Sequence, residues 1–366
     1  MNQPDQQSCG VGQAKEIQRP EHINIVAACY EHSEMRDAVT FALEQTLHTQ
    51  ARLGMDLRFL DGVTVTHDIG VFAVTLQNVP EGQILLERGK LPETMDLGQT
   101  VPVRRDGEVR FHIVLRPGVG VMLVSPEEDL QSEAYGCVAH EASHVDHESH
   151  LYRTFPQVFA CPVECGGRSR QTFLKALDVW AEYAACRSTA IYRPKASEDF
   201  EDSFCRLLER SFSACKEQIA AFRREGNASL VFRNVQQLCG DVFIAAGYLL
   251  GHGIGLEKKF EDHAPRAAAL LGQHPPIERL FVRLQRILHE LWLTEYAWES
   301  IEVFAPIYDL ICDFMKRQGL VFARHETEWR IVMCEDDPTS SEIDDAMAKW
   351  MARTGRSETD LPEPRK

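Results

Sequence analysis

Histidine is the commonest side-chain ligand for transition metals, and two histidines four residues apart on a helix project from the same face. The 366-residue sequence carries such a pair in Val138-Ala139-His140-Glu141-Ala142-Ser143-His144, with a glutamate directly after the first histidine. Both imidazoles can reach one ion, while Glu141, one residue round the helix, is placed to touch a water at the ion instead of the ion itself. Zinc suits this set, because it takes imidazole and carboxylate ligands in a tetrahedron and keeps a position for water when protein supplies only three. Such a water has a pKa of about 7. A glutamate beside it can take its proton as it attacks a carbonyl and pass that proton to a leaving amine. The spacing therefore predicts one Zn2+ held by His140 and His144, with Glu141 as general base.

A third ligand must come from elsewhere, and several residues compete. Glu182 lies in Leu177-Asp178-Val179-Trp180-Ala181-Glu182-Tyr183-Ala184-Ala185-Cys186-Arg187, a segment whose alanines and tryptophan read as a closely packed helix surface. A carboxylate there needs a partner, which a metal would supply and which Arg187 could also supply. Asp178, one turn earlier, can orient a histidine ligand from behind. His150 is the alternative third ligand, since His140, Glu141, His144 and His150 fit the HExxHxxGxxH spacing of metzincins. Against it, His147 stands where that pattern has a glycine, and no methionine lies between Met122 and Met315 to form the accompanying turn. Asp178 and Asp146 complete the field. Tyr183, Tyr248 and His252 are candidates for stabilising a developing oxyanion.

These residues need a scaffold. Short β-rich runs at 63–66, 72–76, 101–104, 110–115 and 119–123, punctuated by Gly, Pro and Asp, predict strands, and Asp106-Gly107 predicts a hairpin turn. An element is expected at 22–30, followed by a helix carrying Phe41, Leu43 and Leu47. Beyond Ser125 the apolar spacing turns helical, with helices expected at about 126–149, 171–192, 199–224, 230–250, 277–293 and 299–318. Ser125-Pro126-Glu127-Glu128 reads as the cap and first turn of the motif helix, Gly226 and Gly319 as C-terminal caps, and Pro275-Pro276 as a helix start. The fold class expected is α+β: a small antiparallel sheet, the HExxH helix, then a mostly helical C-terminal half. Its organisation reads as a flexible leader at 1–20, a zincin-like domain at 21–195, a helical subdomain at 196–334 and an acidic, partly disordered tail at 335–366 with one helix near 342–353.

A net charge of −16 leaves no sequence-wide basic field for phosphates, so neither nucleic acid nor an anionic membrane is an expected partner. Eleven scattered cysteines, without the dense spacing of a disulfide scaffold, read as reduced thiols. The polar N-terminus lacks a secretory signal, and the apolar run 242–250 is too short to cross a bilayer, so a cytoplasmic protein is expected. Cys161 and Cys165, between the two ligand helices, read as loop thiols. Apolar stripes at 200–222 and 277–293 are expected to be core helices, with a homo-oligomer through the C-terminal helices as an option.

On His140, Glu141, His144 and Glu182, the sequence resembles zinc metallopeptidases whose third ligand is a glutamate on a later helix. The gluzincin pattern and, more distantly, the ImmA/IrrE group are the families concerned; Glu182 and Ala185 match the glutamate-to-alanine step of the latter. The resemblance implies a zinc-dependent peptidase acting on a peptide or protein. It also implies an antiparallel sheet whose edge strand, 110–115 or 119–123 here, pairs with extended substrate. The alternative is a non-catalytic regulatory or interaction protein with a structural or vestigial metal site.

Overall fold

The computed structural model describes residues 23–77, 97–159, 169–225, 227–325 and 328–333. The leader, the Cys161 and Cys165 pair, Gly226 and the acidic tail with its expected helix lie outside these ranges. The first half follows the order β1 (Ile25–Val26), α1 (Ser33–Arg52), β2 (Leu60–Val65), α2 (Ile69–Gln77), β3 (Gly98–Arg105), β4 (Glu108–Leu115) and α3 (Pro117–Leu123). Two long helices follow, α4 (Glu128–Thr154) and α5 (Arg170–Thr189). The remainder comprises α6 (Ser197–Glu225), α7 (Ala228–Gly255), α8 (Phe260–His263), α9 (Pro265–Gly272), α10 (Pro275–Leu293), α11 (Ala305–Arg317) and the hairpin β5 (Leu320–His325) and β6 (Glu328–Met333).

The architecture is α+β as expected, but the sheet is mixed. Its order is β1-β2-β4-β3, with β1, β2 and β4 parallel and β3 antiparallel to β4. The β3–β4 hairpin turns at Asp106 (φ 51°) and Gly107 (φ 87°), the two positive angles a tight hairpin needs. One sheet face packs through Leu60, Val63, Val65, Phe111, Ile113 and Leu115 into the main core shared with α1, α4 and α5. The other face, with Val101, Val103 and Val114, is covered by Ile69 and Ala73 of α2.

Two expected strands are helices. Residues 72–76 lie in α2, where Ile69 and Ala73, four apart, are buried and Val71 is 65% exposed. Residues 119–123 form α3, in which Val119 and Leu123 are buried while Val121 faces out. Pro117 opens that helix, and the Tyr30 hydroxyl donates to its carbonyl at 2.6 Å. In both segments a four-residue burial step overrides β propensity, which is weak against tertiary packing. The expected helix carrying Phe41, Leu43 and Leu47 is α1, in which Phe41 is 64% exposed and Val39, Leu43 and Leu47 form the buried stripe.

The later helices run close to expectation, with instructive offsets. α4 begins at Glu128, and Ser125 Oγ accepts the Glu127 N–H instead of capping the helix proper. α11 begins at Ala305, after a 3-10 turn at Ile301–Phe304, because Pro306 is tolerated only in a first turn. Pro275 opens α10, and Gly319 follows α11 with φ 90°. The short helices α8 and α9 and the β5–β6 hairpin lay outside the sequence reading. Residues 229–255 are long and apolar enough to cross a bilayer, but 78% of that helix's most apolar window is buried inside the protein, as in a core helix.

α5 and α7 form the tightest helix pair. A Cβ added to Gly247, Gly251 or Gly255 would lie 2.6 Å from Val179 O, 2.2 Å from Tyr183 O and 2.5 Å from Arg187 O respectively. Glycines on α7 thus face carbonyls on α5 at matching four-residue steps, and the two backbones touch. A buried ion pair, Lys175 Nζ to Asp241 Oδ1 at 3.1 Å, ties the same two helices one turn further back.

Candidate metal centre

α4 carries His140 and His144 one turn apart, and their Nε2 atoms lie 3.0 Å from each other. α5 brings Glu182 to the same point. Its Oε2 is 3.2 Å from His140 Nε2 and 3.3 Å from His144 Nε2. Among the described residues this is the one group of three or more His, Cys, Asp or Glu side chains whose ligand atoms fall within 4.8 Å of one another.

The donor set fits a dication. A tetrahedron with bonds of about 2.0–2.1 Å has edges of roughly 3.3–3.4 Å, close to the three observed separations. Two imidazoles with one carboxylate are ligands for borderline transition metals, whereas calcium and magnesium prefer all-oxygen sets. The electrostatics agree. Burial opposes charge on Glu182, yet the imidazoles of His144 and His140 outweigh it and hold this carboxyl well below the ordinary range. Burial likewise opposes charge on His140, but the Cys186 sulfur and the Glu182 carboxylate prevail and raise it to about 10. The cluster attracts positive charge.

Glu141 stays out of this triad. Its Oε2 is 2.8 Å from Thr100 Oγ1, which is also 3.0 Å from the Glu141 carbonyl oxygen. Thr100 belongs to β3, and a Cβ at Gly98 on the same strand would lie 2.9 Å from Glu141 Cγ. β3, the last strand of the sheet among the described residues, therefore lies directly on the Glu141 side chain. The edge positions expected at 110–115 and 119–123 are corrected accordingly: the first is internal in β4, and the second is helical.

From α7, the Tyr248 ring stacks on His140 with centroids 5.9 Å apart and planes 11° from parallel. Burial, and then the Glu182 carboxylate to which its hydroxyl is hydrogen-bonded, push the Tyr248 phenol well above its usual pKa, so it remains a donor. At the Nδ1 edge of the His140 ring, Cys186 Sγ lies 3.9 Å from that nitrogen.

None of the remaining candidates among the described residues joins the three converging ligand atoms. His150 stacks on Tyr296 at 4.0 Å and its Nδ1 accepts from Arg153 at 2.9 Å. α4 runs unbroken past it, carrying it about 15 Å along the axis from His140 at 1.5 Å per residue. Asp146 accepts the Asp56 N–H at 2.9 Å. Asp178 is buried on α5 one turn before Glu182, outside the converging group. The Tyr183 hydroxyl accepts from Arg187 at 2.8 Å, and Arg187 packs over Trp292. Thr100, Gly98 and Cys186 escaped the sequence reading; of these, Cys186 alone carried a signal, one helical turn after Glu182.

His252, one turn beyond Tyr248, points away from the centre. Its Nε2 is 3.0 Å from the Arg193 carbonyl oxygen and its Nδ1 3.4 Å from His263 Nε2. Burial pushes its pKa from 6.5 down to about 4. The unfolded chain therefore takes up this proton first as pH falls. Stability present above about pH 6.5 is lost as pH drops towards 4, amounting to about 2 kcal/mol by pH 5. Urea midpoints should fall between pH 7.5 and 5, and His252→Gln, which keeps a donor for Arg193, should flatten that dependence; an equally steep variant would contradict the assignment.

Compared with protein-family models, curated proteins and solved structures, the chain matches none.

Proposed function

We propose that this chain is a zinc-dependent peptidase that hydrolyses a peptide bond with Glu141 as general base. The observation carrying the reading is the convergence of His140 Nε2, His144 Nε2 and Glu182 Oε2 within 3.0–3.3 Å, with Glu141, the residue after His140 on α4, bonded through its carboxylate to Thr100. A zinc ion bound there would activate a water and polarise the scissile carbonyl. Glu141, its carboxylate aimed by Thr100, takes the proton of the attacking water and delivers it to the leaving nitrogen. β3 offers an extended peptide a strand to pair with beside Glu141, and Gly98 leaves room for the Glu141 side chain against that strand. His140, His144 and Glu182 hold the ion, and the peptide or protein substrate is the only partner the chemistry requires.

Purified protein should contain close to one zinc per chain by elemental analysis. His140→Ala, His144→Ala and Glu182→Gln should each lose most of it. Incubated with a mixed library of unstructured peptides, the zinc-loaded protein should generate new termini detectable by mass spectrometry. Protein without zinc, or with zinc retained in the ligand variants, would remove the reading.

One observation favours a second reading, a non-catalytic regulatory or interaction protein in which an ion ties α4 to α5. His140, His144 and Glu182 side chains are only 13%, 3% and 7% exposed. Stoichiometric zinc with no new peptide termini would select it.

A further inference from the structure

We propose that Cys186 is the positioning residue for His140, its sulfur accepting the hydrogen bond that fixes the ring's tautomer and plane. The inference rests on the metal-site reading and goes beyond it. His140 Nε2 faces His144 and Glu182, so in the ligating form that nitrogen carries the lone pair and Nδ1 carries the proton. Among the described residues, the hydrogen-bond partner at Nδ1 is Cys186 Sγ, at 3.9 Å. Histidine ligands ordinarily give that proton to a carboxylate, a carbonyl or water, groups that orient the ring and strengthen it as a ligand. Here a thiol stands in that position.

The placement follows from the helices. Cys186 is one turn beyond Glu182 on α5, so the ligand and the group that orients its neighbour ride on one rigid element. Cys186 is 3% exposed, so water has little access to compete for the Nδ1 proton. Tyr248 covers the ring face of His140 from α7, leaving rotation about the ring axis as the main freedom for the sulfur to remove.

The test uses the full chain and Zn2+ or Co2+ as probe. Affinity is measured by competition with a chromophoric chelator, alongside the Co2+ absorption spectrum and the Tm of metal-free protein. Cys186→Ala should weaken both metals by about tenfold, the lower end of what losing such a partner costs, and shift the Co2+ bands, with metal-free Tm near that of the parent. Cys186→Ser, whose oxygen accepts but reaches less far, should fall between Ala and Cys. If Ala lowers the metal-free Tm, Cys186→Val fills the space without an acceptor, and Ser binding more tightly than Val then supports the assignment. Equal affinities and unchanged Co2+ bands across Cys, Ser, Ala and Val would overturn it. Parent protein that takes up no ion would instead overturn the metal-site reading and this assignment with it.

Discussion

Glu141→Gln is expected to abolish peptide hydrolysis, lowering turnover by about 10²- to 10⁴-fold, while zinc content stays near one per chain. The argument begins with shape. Glutamine is the isostere of glutamate, and its amide NH2 can donate to Thr100 Oγ1 where the carboxylate now meets that hydroxyl at 2.8 Å. Glu141 is only 7% exposed, so a variant that lost this bond would leave a buried polar group without its partner; the amide avoids that cost. The ligand atoms of His140, His144 and Glu182 are untouched, so the ion stays. What disappears is basicity, because an amide cannot accept the proton of the attacking water. Turnover of the new termini generated by the parent, measured beside elemental analysis of both proteins, decides the matter. A variant that cleaves at the parental rate would show that Glu141 is not the base, and one that loses its zinc would place the residue among the ligands.

Thr100→Val separates positioning from basicity at the same carboxylate, which underlines how unevenly this centre was written into the sequence. His140 and His144 were legible because helical geometry fixes residues four apart regardless of the rest of the fold. Glu182 was legible because a carboxylate among Ala181, Ala184 and Ala185 is costly without a partner, and burial of that whole face in the structure bears out the packing reading. Thr100 and Gly98 were not. They meet Glu141 across a separation of some 40 residues, through a strand whose position depends on sheet order. Alternation of apolar and polar residues identifies strands but carries no record of which neighbour each one takes, so it does not reveal that the core of the expected antiparallel sheet, β1-β2-β4, is parallel. His150 failed for a related reason: motif spacing presumed a turn after His144, but α4 continues to Thr154, held there by buried His147, Glu148, Ser149 and Leu151.

Among the described glycines, Gly251→Ala should be the most damaging substitution by a single methyl. A Cβ at that position would lie 2.2 Å from Tyr183 O, 2.9 Å from its carbonyl carbon and 3.0 Å from its Cα, all backbone atoms that cannot rotate aside. Alanine favours a helix over glycine by about 1 kcal/mol, which works in the variant's favour. Overpacking against rigid neighbours costs about 1–3 kcal/mol and more when the backbone must move. Here relief requires α7 to move off α5 along the contacts made by Gly247, Gly251 and Gly255, which puts the steric cost at or above the top of that range, so it outweighs the propensity gain and a net loss of about 2 kcal/mol or more is expected. The same movement reaches the metal centre from both sides. Glu182 precedes the Tyr183 carbonyl under strain, and Tyr248, which stacks on His140 and bonds Glu182, sits on the displaced helix. Zinc affinity should therefore fall together with the urea midpoint, whereas Gly54→Ala, at a site with no atom within 4 Å of the added carbon, should leave zinc affinity unchanged whatever its backbone strain at φ 107° costs in stability. Parental stability and zinc affinity in Gly251→Ala would mean that the close approach of α5 and α7 does not hold the ligand carboxylate in place.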